Sequence, residues 1–67
     1  MARRGPMTPR QVIRLLMNHG FVEDHQTGSH LILYHPESKR RAVVPIHSRD
    51  VPKGTLHSIL KSAGIDG

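Results

Sequence analysis

Three consecutive residues, Gly28-Ser29-His30, combine side-chain types that suit chemistry at a phosphate group. Glycine lets a ligand approach the backbone closely, serine offers a small hydroxyl to a phosphate oxygen, and histidine titrates near neutral pH. An imidazole at the entry to a strand is firmly held, which favours proton transfer at a ribose hydroxyl or a phosphodiester. The competing interpretation is that Gly28 and Ser29 only form a turn and that His30 is an ordinary surface residue.

Histidines are numerous, and three of them, His25, His30 and His35, recur at intervals of five residues. His30 and His35 are an odd number of residues apart, so on one strand their side chains point to opposite faces. His25 could face His30, but no cysteine is present and no well-placed carboxylate completes a tetrahedral set of ligands. His47 lies beyond the third predicted strand. We therefore expect neither a metal ion nor another cofactor.

Basic residues outnumber acidic ones, with 10 Lys and Arg against 5 Asp and Glu and a net charge of +5. This balance favours a polyanionic partner, either nucleic acid or an acidic protein. Arg40 and Arg41 begin the third predicted strand, where neighbours point to opposite faces, so they cannot both contact one ligand. Lys53 begins the second predicted helix, and a helix N-terminus binds anions. The alternative is an ordinary solvated surface.

The elements that position these residues follow from hydrophobic periodicity and from cap signals. Thr8 and Gln11 form a capping box around Pro9, and Gly20 is typical of a helix end. The predicted elements are a helix over Pro9–His19, strands over Phe21–Gln26, Ser29–His35 and Arg40–Pro45, and a helix that opens at Pro52-Lys53-Gly54 and stops at Gly64.

A two-residue turn at Thr27-Gly28 would fix the register of the first hairpin. The pairs would be Gln26 with Ser29, His25 with His30, and Phe21 with Tyr34. One sheet face would carry Phe21, Glu23, His25, His30, Ile32 and Tyr34, and the other would carry Val22, Leu31 and Leu33. Both faces contain apolar residues, so the pattern leaves open which face meets the helices.

The predicted fold class is α+β, in the order αβββα. Strands joined by short turns form an antiparallel sheet, and two amphipathic helices of similar length can cover only one of its faces. The second face is left for solvent or for a partner.

The length of 67 residues allows one domain, 1–67, in which residues 1–7 are expected to form a flexible basic arm. The longest apolar run, Leu31–Tyr34, is far too short to span a membrane, and the basic first residues lead into no apolar signal-peptide segment. We expect a cytoplasmic protein without a membrane partner.

Five short motifs occur in order along the chain: Gly20-Phe21-Val22, Gly28-Ser29-His30, Val44-Pro45-Ile46-His47, Lys53-Gly54-Thr55-Leu56 with Ile59-Leu60, and Ala63-Gly64-Ile65. Together they resemble the HicA toxins of bacterial HicAB toxin–antitoxin pairs, and the likeness runs from Pro9 to Ile65. The resemblance implies a fold like that of double-stranded-RNA-binding domains and activity as a ribosome-independent mRNA interferase. It also implies that His30 is the catalytic histidine and that a HicB-like antitoxin occludes it. Two segments, Arg3-Arg4 and Glu23-Asp24, depart from the family pattern.

These observations lead to the hypothesis of a metal-independent endoribonuclease, with His30 as general base at a 2′-hydroxyl or as general acid at the leaving oxygen. The residues expected to bind RNA are Gly28, Ser29, Arg40, Arg41, His47 and Lys53. Such cleavage usually needs two proton-transfer groups, and the sequence leaves open whether His47 or His25 is the second. The alternatives are a non-catalytic RNA-binding module of the same fold and a small interaction domain for an acidic protein. The free toxin is expected to be a monomer.

Overall fold

The computed structural model describes residues 7–65 and has the predicted order of elements. The elements are α1 (Pro9–Asn18), β1 (Val22–Thr27), β2 (His30–Tyr34), β3 (Arg41–Pro45) and α2 (Lys53–Ala63). The strands form one antiparallel sheet in the order β1-β2-β3. The α+β class and the αβββα order are therefore confirmed. No helix within residues 7–65 is long and apolar enough to cross a membrane.

Helix α1 starts at the predicted capping box. The Thr8 hydroxyl accepts from the Gln11 backbone N–H at 3.2 Å, and the Gln11 side chain accepts from the Thr8 N–H at 2.9 Å. This reciprocal cap satisfies two N–H groups that the first helical turn leaves without partners, and an N-cap residue is typically worth about 1 kcal/mol. The helix ends at Asn18, so the predicted last residue, His19, is instead the C-cap.

The turn of the first hairpin lies one residue later than predicted, so the predicted register is wrong and the partner of His25 lies two residues further along β2. Strand β1 extends to Thr27, which pairs with His30, so the two turn residues are Gly28 and Ser29. The reason is local: Gly28 has a φ of 55°, and two-residue hairpin turns place such a residue at their first central position. The turn therefore begins at the glycine and not before it. As a consequence, His25 lies opposite Ile32 and not opposite His30.

Strand β1 also contains an irregularity that the periodicity did not predict. The pairing shifts between Glu23, which is opposite Leu33, and His25, which is opposite Ile32. Asp24 is thus an extra residue in β1, as in a β-bulge, and the shift leaves Val22 opposite Tyr34.

The helices cover the sheet face that carries Leu31, Leu33, Ala42 and Val44, all of which are buried. This settles which face meets the helices. The predicted helical stripes supply the facing layer, with Val12 and Leu16 from α1 and Leu56, Ile59, Leu60 and Ala63 from α2.

Phe21 is the one aromatic residue of this core, and its predicted position was wrong. It precedes β1, its N–H donates to the Leu16 carbonyl at 3.1 Å, and only 2% of its surface is exposed. The bond to the end of α1 directs Phe21 into the helix layer, whereas the sequence pattern predicts it on the same sheet face as Ile32 and Tyr34. Its ring meets the ring of His35 edge-on, with 5.1 Å between centroids.

The second half of the chain follows the predicted pattern closely. Strand β3 begins one residue later than expected, because Lys39 has a φ of 66° and the Arg40 N–H donates to the Ser38 hydroxyl at 3.3 Å. Helix α2 ends as predicted at Gly64, which is left-handed with a φ of 75°. Residues 1–6 of the predicted basic arm lie outside the described residues, whereas Met7 pairs with Val51 in an isolated bridge.

Candidate active site

The sheet face opposite the helices is an open surface that carries the candidate catalytic residue. The strand register places on it Val22, His25 and Thr27 from β1, His30, Ile32 and Tyr34 from β2, and Arg41, Val43 and Pro45 from β3. Val22 and Val43 are nearly half exposed, at 47% and 46%. This face therefore offers a ligand two imidazoles and a guanidinium beside exposed apolar side chains.

His30 is the first residue of β2, the central strand of the sheet. Its neighbours in the two ladders are Thr27 and Pro45, so the backbone is held on both sides. The side chain is exposed, and no side chain or backbone group within residues 7–65 makes a hydrogen bond with the imidazole. His30 thus combines a rigid backbone with an imidazole whose nitrogens are available to a ligand.

The turn before His30 leaves space for a ligand. A Cβ atom built on Gly28 would have nothing within 4 Å, so glycine is needed there for its positive φ and not because of crowding. The Ser29 carbonyl accepts from the Ile46 N–H at 2.8 Å, which ties the turn to the loop after β3. His47 is the next residue of that loop, so it lies at the same end of the sheet as His30.

Lys53 lies toward this end too, but in the helix layer. The loop after β3 connects to Lys53, and α2 is directed toward the other end of the sheet. Its direction follows from the Ser62 carbonyl near its C-terminus, which accepts from the Arg40 side chain just before β3. Pro52, the N-cap of α2, supplies no side-chain hydrogen bond, and the first turn contains no acidic residue. The first N–H groups of α2 therefore remain available to an anion beside the Lys53 ammonium.

The two arginines lie at the other end of the sheet, on opposite sides as predicted. Arg41 is on the open face, four residues from Pro45, which corresponds to about 13 Å along a strand. Arg40 lies on the helix side, where its guanidinium donates to the Ser62 carbonyl at 3.3 Å near the C-terminus of α2. The predicted RNA-binding residues therefore do not form one group. Gly28, Ser29 and His47 lie at the His30 end of the sheet, Lys53 lies toward that end in the helix layer, and Arg40 and Arg41 lie at the other end.

One polar network on the open face was missed by sequence reasoning. Asp24 Oδ2 accepts from His25 Nδ1 at 2.9 Å and from Arg41 Nη1 at 3.3 Å. The Arg41 guanidinium carbon also lies 4.9 Å from the centroid of the Tyr34 ring, within the range of a cation–π contact. The hydrogen bond with His25, helped by the charge of His25 and by Arg41, holds the pKa of Asp24 below its usual value. Adjacent strand residues normally point to opposite faces, so only the bulge at Asp24 lets neighbours share one network.

Comparison with known protein families agrees with the motif pattern. Residues 9–65 match the family model described as HicA toxin of bacterial toxin–antitoxin. The chain belongs to the HicA toxin family. This HicA chain is therefore the toxin of a toxin–antitoxin pair, and an antitoxin is its partner. No curated protein matches its sequence closely enough to be counted as a relative.

One further histidine of this HicA chain, His35, has a structural role. His35 Nδ1 accepts from the N–H groups of Glu37 and Ser38, at 3.2 and 3.1 Å, which assigns the ring proton to Nε2. That nitrogen donates to the His19 carbonyl at 3.0 Å and so links the β2–β3 turn to the end of α1. Within the described part of the chain, no group of three His, Asp or Glu side chains could hold a metal ion.

Proposed function

We propose that this HicA toxin is a metal-independent endoribonuclease that cleaves mRNA, with His30 as a proton-transfer residue. The observation that carries the proposal is the position of His30, on the central strand and on the uncovered face, with an imidazole that no neighbour engages. A core or structural histidine would instead resemble His35, whose ring nitrogens are both occupied by backbone groups.

The chemistry would be cleavage by the RNA's own 2′-hydroxyl. The 2′-oxygen forms a bond to phosphorus as its proton passes to a general base, and the bond to the 5′-oxygen breaks as that oxygen receives a proton from a general acid. The products are a 2′,3′-cyclic phosphate and a 5′-hydroxyl. No water is consumed in this step, and the protein needs only to position the phosphate and to move protons.

The surroundings of His30 suit a phosphate. The Gly28 turn leaves room for the backbone of the RNA, and the uncapped start of α2 with Lys53 lies toward the same end of the sheet. The net charge of +5 adds a general attraction for the polyanion. Arg41 would contact a phosphate or base further along the strand, because it lies on the same face but about 13 Å away from Pro45.

The antitoxin would inhibit by covering the same face. Val22 and Val43 leave apolar surface exposed on the same face as His30, and burial of this face by an acidic partner would both occlude the imidazole and neutralise the basic charge. A partner that binds only the folded toxin also stabilises it by mass action.

Growth inhibition by matched variants tests the proposal in cells. Wild type, His30→Ala and His57→Ala are expressed from an inducible promoter, with soluble protein quantified for each. His57 is an exposed residue of α2, in the layer opposite the open face, so it controls for the loss of a surface imidazole. We expect wild type and His57→Ala to arrest growth and His30→Ala to be harmless. Equal toxicity of all three proteins at equal abundance would contradict the role of His30.

A further inference from the structure

His25 is the residue that could complete the acid–base pair on the open face. We propose, on the basis of the proposed nuclease function, that His25 is the second proton-transfer residue and that Asp24 is its positioning residue. The juxtaposition of Asp24, His25 and His30 on one uncovered sheet face supports this assignment.

The hydrogen bond to Asp24 determines how His25 presents its ring. Nδ1 lies 2.9 Å from the Asp24 carboxylate, so it carries a proton and Nε2 is the nitrogen left for a substrate. Asp24 is itself fixed by Arg41 at 3.3 Å, and Arg41 rests over the Tyr34 ring. An imidazole oriented by a carboxylate in this way is a recurring arrangement in acid–base catalysis, since the carboxylate selects the tautomer and stabilises the imidazolium.

The register places the two histidines at a useful separation. His25 pairs with Ile32, and His30 pairs with Thr27, so the histidines are diagonal neighbours on adjacent strands. Diagonal neighbours lie about 7–8 Å apart, with their Cβ atoms somewhat closer, which lets both rings reach one phosphate group. His47 is less suited to the role, because it lies on a loop and not on a strand.

The two residues would divide the proton transfers as follows. Neutral His30 takes the proton of the 2′-hydroxyl as the bond from the 2′-oxygen to phosphorus forms. Protonated His25, oriented by Asp24, gives its Nε2 proton to the 5′-oxygen as the bond from phosphorus to that oxygen breaks. His30 ends protonated and His25 neutral, and exchange with water restores both. The titratable and charged groups around His25 are Asp24 from β1, His30 and Tyr34 from β2, and Arg41 from β3.

Sulfur substitution at the leaving atom tests the role of His25. An RNA oligonucleotide that contains a cleavage site mapped on natural mRNA is prepared with either oxygen or sulfur as the bridging 5′-atom. On the oxygen substrate we expect His25→Ala to lose about 10²- to 10⁴-fold in rate, the range for general acid–base catalysis. On the sulfur substrate it should cleave nearly as fast as wild type, because a thiolate leaves without protonation, whereas His30→Ala should stay defective.

Sulfur substitution also tests the role of Asp24. Asp24→Asn replaces the carboxylate that holds the Nδ1 proton of His25 by an amide, which can turn its own N–H toward Nδ1, so the rate on the oxygen substrate should fall and the sulfur substrate should restore it. Glu23→Gln is the matched control, since Glu23 pairs with Leu33 and thus lies on the other side of β1 from His25. Full activity of Asp24→Asn on the oxygen substrate, or a loss that the sulfur substrate does not restore, would overturn the positioning role.

Two results would overturn the assignment of His25. The first is full activity of His25→Ala on the oxygen substrate. The second is a sulfur substrate that restores the cleavage rate of His30→Ala and not that of His25→Ala. Either result, with His30→Ala still inactive on oxygen, would leave the nuclease proposal standing. Failure of wild type to cleave RNA would instead refute the proposed function itself.

Discussion

Replacing Gly20 by alanine would press a methyl group against the imidazole that links the β2–β3 turn to α1. Gly20 has a φ of 95°, and a Cβ atom built there would lie 2.7 Å from His35 Nε2. The His35 ring cannot move aside cheaply, because its two nitrogens bond to the His19 carbonyl and to two backbone N–H groups of the turn. A positive φ costs an L-residue roughly 1–2 kcal/mol, and each lost hydrogen bond costs about 1 kcal/mol more.

The expected loss for Gly20→Ala is therefore about 2–3 kcal/mol in the free energy of unfolding. A chain of this size has only about 3–10 kcal/mol in total, so the melting temperature should fall by about 10–20 °C. Urea denaturation followed by circular dichroism measures the change. Gly28→Ala is the matched control: Gly28 also has a positive φ, of 55°, but nothing lies within 4 Å of its Cβ position. The free energy of unfolding of Gly28→Ala should fall by about 1 kcal/mol less than that of Gly20→Ala, since only the cost of the positive φ applies.

A double-mutant cycle with His35→Ala isolates the contact with the imidazole. In the His35→Ala background, Gly20→Ala should reduce the free energy of unfolding no more than Gly28→Ala does, because only the unfavourable positive φ still destabilises the variant. Equal losses for the two glycine variants in the native background would refute the reasoning. A cost of Gly20→Ala that does not change when His35 is absent would refute it as well.

Three other predictions concern charge and partners. Lys53→Gln should reduce the slope of log affinity against log salt by about one unit in RNA-binding titrations, if the Lys53 ammonium contacts a phosphate, and an unchanged slope would place Lys53 outside the interface. The pKa of Asp24 in the folded state lies below its usual value. The ionised carboxylate therefore stabilises the fold above the unfolded pKa of about 3.9, and this stabilisation is lost as the pH falls through the pKa of the folded state. Asp24→Asn should therefore flatten the acid side of the stability–pH curve, and a curve that coincides with that of wild type would exclude this contribution. Adding the antitoxin should raise the melting temperature and shift or broaden the NMR signals of His30, whereas stabilisation with unperturbed His30 signals would mean that inhibition does not involve covering His30.

The helices, strands and caps could be predicted because their signals are local. The capping box of Thr8 and Gln11, the stripe around Leu56 and the glycine at position 64 each depend on residues within one or two turns. Elements encoded by such local signals form in the folded protein unless tertiary contacts override the local preference. The position of His30 at the start of the central strand followed from the same information.

The features that escaped prediction depend on single backbone angles. The hairpin register required knowing that Gly28, and not Thr27, takes the first turn position with its positive φ. Moving the turn by one residue changed the partner of His25 from His30 to Ile32, on the same face, whereas the bulge at Asp24 placed Val22 instead of Glu23 on the open face. The bulge at Asp24 has no signature in the periodicity, yet it joins Asp24, His25 and Arg41 in one network. Consecutive residues of a regular strand place their side chains on opposite faces, so the sequence pattern gave no reason to expect a contact between Asp24 and His25.

Cleavage of end-labelled RNA by purified protein in excess EDTA tests the central claim most directly. Wild type, His30→Ala and His57→Ala are compared at equal concentration, with RNA binding measured in parallel and the 3′ product termini analysed chemically. The account predicts that wild type and His57→Ala cut the RNA in chelator and leave 2′,3′-cyclic phosphates, while His30→Ala binds RNA with little change and does not cut. Cleavage that stops in EDTA and returns with added metal, or cleavage by His30→Ala at the wild-type rate, would contradict it.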